Sequence, residues 1–171
     1  MTWFCHLLHC WTMKHEYNDG GRAAAGFSGK AGDCVVRAVA IATKQDYRTV
    51  YDALSAGCRS ERKTKGAQAK ASARNGVKTQ RAWFHDYMER LGWTWTPTMG
   101  IGTGCKVHLR EGELPMGRII AAVSRHYVAL IDGVAQDTHD CTRGGTRCVY
   151  GYWENATDRA IESMQFQPSQ T

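Results

Sequence analysis

No run of apolar residues in this 171-residue chain approaches the roughly 20 that a membrane-spanning helix needs. The opening MTWFCHLLHCW has no basic n-region and no clear small-residue cleavage site, which argues against a secretory leader. That absence bears on sulfur chemistry. Seven cysteines is an odd number, and without a leader the expectation is reduced thiols in a cytosol, not a disulfide framework. No aromatic residue lies between Arg59 and Gly76, so nothing there supports stacking on nucleobases. No segment repeats itself, which excludes solenoids and propellers.

What is present describes a folded domain. Apolar residues make up 43% of the chain and tryptophans number six, enough for one domain with its own core. Residues 1–12 read as an N-terminal extension, 13–155 as a single domain and 156–171 as a polar C-terminal tail. The net charge of +6 is concentrated: Arg59 to Arg81 holds eight basic residues against Glu61 alone, a local +7, which leaves the remainder at −1. This segment, 59–81, has no apolar periodicity and reads as a solvated loop. It is also the place where a nucleic acid or an acidic protein partner would bind, through counterion release or as a flap over a cleft.

Helices come first. Asp33 is placed to cap a helix over Cys34 to about Thr43, whose interior VVRAVAIA offers only Arg37 as a polar residue. A second helix is expected from about Asp46 to Ala56, ended by Gly57, and a third from about Lys78 to Leu91. Strands follow: GRIIAAV, HYVALI, VAQDT and CVYGYW, each short and rich in β-branched or aromatic residues. Helices before strands is an α+β order.

Cys34, at the start of a buried helix, sits where the helix dipole lowers a thiol pKa. A nucleophile also needs a base, and His126 is the best placed of the seven histidines. It opens HYVALI, which runs into Asp132-Gly133, the strongest short hairpin signal. That turn pairs Ile131 with Val134, Leu130 with Ala135, Ala129 with Gln136 and Val128 with Asp137. Asp137 is then the diagonal neighbour of His126, His139 lies opposite it, and Asp140 falls on the other face.

The pieces GDCVVRAVAIAT and SRHYVALIDGVAQDT, in this order, resemble papain-like cysteine peptidases, in particular the peptidase domains that remove double-glycine leaders from bacteriocins. From Met13 to Trp153 the chain is also similar to uncharacterised phage and prophage proteins. The resemblance implies a papain-like α+β fold, with a helical half whose buried central helix packs on a C-terminal antiparallel sheet. It implies a thiol peptidase or amide hydrolase of a bacterial or phage cytoplasm. Cys34 would be nucleophile, His126 general base and Asp137 its orienting group, with no cofactor, no metal, and a peptide or protein substrate. Those families carry a glutamine about six residues before the cysteine, where this chain has Ser28. Oxyanion donors are therefore sought in the backbone N–H of Cys34 and in Ser28 or Asn18.

Other readings stand beside these. A cysteine in an apolar helix is commonly packing, and the rival function is a non-catalytic binding protein built around 59–81. Cys105 and His108 read as structural. Cys5, His6, His9 and Cys10 are zinc-compatible but wrongly spaced. Cys141 and Cys148 would close a loop if oxidised. Trp83, Trp93, Trp95 and Trp153 serve equally as cleft or core.

Overall fold

A computed structural model of the chain describes residues 12–61 and 72–155. The extension expected over 1–12, apart from Thr12, lies outside the described residues, and so do the tail 156–171, the cluster Cys5, His6, His9, Cys10, and residues 62–71 of the basic segment.

The chain enters through a three-residue strand, β1 (His15–Tyr17), and a turn-rich glycine loop. Helix α1 (Cys34–Thr43) has the predicted bounds, and Val35, Val36, Ala38, Val39, Ala40 and Ala42 on it are buried. Helix α2 (Tyr47–Ser60) begins at Asp46, whose carboxylate accepts from Thr49 N–H at 3.0 Å. It runs past Gly57, where the sequence placed its end. The glycine is there for space: a Cβ on it would lie 2.3 Å from the Trp83 ring. Helix α3 (Ala82–Arg90) starts later than expected because residues 78–81 form a turn, closed by Arg81 N–H donating to the Lys78 carbonyl.

Strands β2 (Trp93–Pro97), β3 (Arg118–Val123), β4 (His126–Ile131), β5 (Val134–Asp137) and β6 (Val149–Asn155) join β1 in a six-stranded sheet of order β1-β5-β4-β3-β6-β2. The architecture is α+β as expected, but the sheet is mixed and not antiparallel throughout, because β1 pairs with β5 in parallel. Both strands that the sequence did not betray lie at the edges. β1 is too short to show alternation, and β2 ends in Pro97, tolerated at an edge. The hairpin register is the predicted one from Ile131–Val134 to Ala129–Gln136. Asp132 and Gly133 both have positive φ, as a primed turn requires. The ladder stops there, one pair short of Val128–Asp137.

Alternation along the strands divides the core. Ile120, Ala129 and Trp153 face Val36, Val39, Phe84 and Met88 of the helical layer. Ile119, Ala121, Val128 and Leu130 point the other way, under Leu109, Cys141 and Met13. Each Val, Leu, Ile, Phe or Met side chain among these, fully buried, contributes about 1.5–3 kcal/mol. Gly151 of β6 leaves room for Trp95: a Cβ there would lie 2.3 Å from the indole and 2.9 Å from the Thr96 carbonyl oxygen. Gly151→Ala is therefore expected to cost about 1–3 kcal/mol, read as a lowered thermal midpoint, and to change Trp95 fluorescence. An unchanged midpoint would contradict this packing.

The expectation of reduced thiols needs correcting. Cys105 and Cys148 form a disulfide, their Cα atoms 5.8 Å apart, across a separation of 43 residues. Cys148 thus pairs with Cys105 and not with Cys141, which is free and buried. The bridge reinforces a contact already present, since His108 and Cys148 share an isolated β-bridge. No helix among the described residues is long and apolar enough to cross a membrane.

Candidate active site

Cys34 is the first residue of α1, and α1 lies across β4, β3 and β5. That crossing brings the thiol to the start of β4, where His126 stands. The two side chains line one cleft of about 690 Å³ and lie close enough for each to shift the other's titration. On the far side of the imidazole, His126 Nε2 meets Asp137 Oδ2 at 2.5 Å. Nε2 is thereby committed to the carboxylate, which leaves Nδ1 for the thiol. The three residues singled out in the sequence converge, although Asp137 has left the ladder by one residue to do so.

Electrostatics favour a charged pair. Burial alone would push the Cys34 thiol up, but the hydrogen bond and positive charge of His126 outweigh it. The Tyr127 backbone and Arg37 add to the effect and bring the thiol below its ordinary range. Burial alone would lower the His126 pKa, yet its bonds to Asp137, Cys141 and Cys34, with the thiolate charge, raise it to about 11. Asp137 is held below the usual carboxylate range: burial opposes this, but His126, the Thr138 N–H and Arg37 prevail. The shifts run in the direction of a thiolate–imidazolium pair backed by a carboxylate.

A second network holds the first in place. Asp33 occupies the cap position of α1 but its side chain caps nothing. It is buried and accepts from Arg22 Nε at 2.8 Å, an Arg37 guanidinium nitrogen at 2.5 Å and the Tyr47 hydroxyl at 2.6 Å. The other terminal nitrogen of Arg37 reaches Asp137 Oδ1 at 3.3 Å. Arg37, read in the sequence only as the polar exception in an apolar helix, ties the carboxylate behind His126 to the residue preceding the thiol. The i, i+4 spacing of Asp33 and Arg37 was the available signal. Because Asp33 is turned inward, no side chain caps the first-turn N–H groups beginning with Cys34.

The oxyanion candidates Ser28 and Asn18 are not at the site. The Ser28 carbonyl accepts from Arg22 and Arg74, and Asn18 is bonded to Gln136 and to the Gly20 N–H. Neither lines the cleft. Asn75, Thr79 and Gln80 do, and they belong to the basic segment 59–81, read in the sequence as a solvated loop or a flap over a cleft. Of the four tryptophans considered, Trp95 lines the cleft, Trp93 and Trp153 are core, and Trp83 packs on Gly57.

The remaining candidates fall into place. The His139 ring lies 5.4 Å from that of His126, a neighbour and not a replacement. Asp140 accepts from Thr142 N–H within its own turn. His108 has a carboxylate partner after all, Glu113 at 3.2 Å, but Cys105 is tied up in the disulfide, so this pair holds no nucleophile. Among the described residues, His126, Asp137 and His139 are the trio whose ligand atoms lie close enough to hold a metal ion, within 4.8 Å of one another. A metal there would have to displace the proton shared by His126 and Asp137. In the described part of the basic segment, Lys78 and Arg81 are paired with Glu61, and Arg74 is bonded to the Ser28 and Lys30 carbonyls. No family model, curated protein or solved structure matches this chain.

Proposed function

We propose that the protein is a cysteine-dependent hydrolase or acyl transferase of peptide or other amide bonds, with a papain-like arrangement of Cys34, His126 and Asp137. The observation that carries this reading is the continuous line from a thiol at a helix start, through His126, to a buried carboxylate at 2.5 Å, with the thiol open to a cleft. The Cys34 thiolate attacks the substrate carbonyl and forms a C–S bond, and the carbonyl electrons move to oxygen. That oxyanion is met by the uncapped N–H of Cys34, and the carboxamides of Asn75 and Gln80 are the amide donors on the cleft wall. Collapse breaks the C–N bond as the His126 imidazolium gives its proton to the leaving amine. The thioester is then opened by water or an amine, with His126 now taking the proton.

p-Nitrophenyl acetate tests the reading without knowledge of the natural substrate. The expected result at pH 6 is a burst of nitrophenol with an acetyl group on Cys34 by mass spectrometry, both absent in Cys34→Ala. Acetylation spread over lysines, or a burst that survives the substitution, would sink the proposal. The rival binding role at residues 59–81 draws no support from the described basic side chains, which are bonded within the fold.

A further inference from the structure

We infer that the cleft selects substrates carrying a carboxylate beside the scissile bond, and that Arg125 is the residue that receives it. This rests on the proposed function and adds the substrate class. None of the sixteen described residues lining the cleft is acidic, and Arg125 is the one permanently charged side chain among them. Its guanidinium, exposed, makes no hydrogen bond or ion pair with another of the described residues. Arg22, Arg37, Arg48, Arg74 and Arg147, by contrast, bond carboxylates or carbonyls, and of the arginines without such a bond Arg125 is the one that lines the cleft.

Placement strengthens the argument. Arg125 directly precedes His126 at the tip of the β3–β4 hairpin and has φ of 56°, a left-handed conformation that disfavours a bulky residue by roughly 1 kcal/mol or more. Glycine would suit that turn, so the arginine is there at a local cost. The tip is also anchored: Arg147 donates to the Ser124 carbonyl at 2.6 Å and to the Cys141 carbonyl at 3.0 Å. A fixed turn therefore presents a guanidinium at the mouth of the cleft. Guanidinium is suited to bidentate carboxylate recognition. Trp95, Val77 and Tyr150 line the same cleft and give it apolar and aromatic surface, so the favoured ligand is an acyl group with one apolar and one anionic substituent.

The test compares iodoacetate with iodoacetamide on native protein. In both reactions the Cys34 thiolate forms an S–C bond and iodide leaves, so only the charge of the reagent differs. The expected result is an iodoacetate-to-iodoacetamide rate ratio at Cys34 above that of a free thiol. Arg125→Glu should lower the ratio about three- to tenfold, Arg125→Lys should largely keep it, and added salt should shrink the difference. A ratio unchanged in Arg125→Glu, with the variant folded by circular dichroism, overturns the inference while Cys34 stays reactive. A Cys34 inert to both reagents overturns the proposed function and this inference with it. Protection of Cys34 from iodoacetamide separates the sources of the carboxylate. N-acetylaspartate α-amide protects if a side-chain carboxylate is read, and N-acetylglycine if a chain end is read. Protection by neither overturns the inference.

Discussion

Iodoacetamide at pH 6 is expected to modify Cys34 well ahead of Cys58 and Cys141, and His126→Ala to slow that modification by about 30- to 100-fold. The free thiol titrates near 8.5, so without its partner only about 0.3% of Cys34 would be thiolate at this pH. The native thiol sits below its ordinary range because its interaction with His126 outweighs burial, so its reactive fraction at pH 6 is larger. The effect is somewhat moderated because a thiolate of lower pKa is the weaker nucleophile. The sign follows directly: as pH falls from 8 to 6 the native rate falls less steeply than the variant rate, which drops with the thiolate fraction. Site-resolved mass spectrometry over that range measures both. Equal pH profiles in the two proteins would mean that the imidazole and the thiol do not act as a pair.

Asp33→Ala is expected to have the largest effect on stability, about 3–5 kcal/mol, because Asp33 accepts from two arginines and a tyrosine in the interior. Removing it strands positive charge that is nearly excluded from water, the Arg22 and Arg37 side chains being 14% and 11% exposed. For a domain of this size the thermal midpoint should fall by about 10 °C or more. Asp33→Asn keeps the shape and part of the hydrogen bonding and should fall between. A second reading separates this from simple loss of fold. In Asp33→Asn, Arg37 is freed to pair more fully with Asp137, so the apparent pKa of Cys34 should move while the protein remains folded. A midpoint within 1 °C of native for Asp33→Ala would show that the network does not support the fold.

The helical half and the triad were legible because their signals are local. Apart from Arg37, Val35 to Ala42 is apolar around its circumference, and Asp132-Gly133 fixes a hairpin whose register carries His126 towards Asp137. What escaped depends on contacts between distant segments. β1 joins β5 across 120 residues, from His15 to Ala135, and three residues of a parallel edge strand have no pattern of their own. Gly57 reads as a stop until Trp83 is seen lying on it. The oxyanion donors were sought beside Cys34 in sequence, at Ser28 and Asn18. Asn75 and Gln80, from the described end of the basic segment, line the cleft where Ser28 and Asn18 do not. The pairing of Cys105 with Cys148 rested on where two irregular stretches meet just before β6, and spacing offered no guide to it.

The Cys105–Cys148 bridge sets the molecule's two sulfur chemistries against each other. Loop closure over 43 residues is worth about 4 kcal/mol in the chain-entropy view. The bridge sits one residue from β6, whose Tyr150 carbonyl accepts from Thr98 N–H and whose Tyr150 side chain lines the cleft. A reductant that keeps Cys34 as a thiolate also threatens this bridge. Surroundings that preserve the bridge expose the thiolate to oxidation, sulfenic acid first. The working form thus occupies a band of redox conditions, wide enough to hold one sulfur pair closed and narrow enough to leave one sulfur bare.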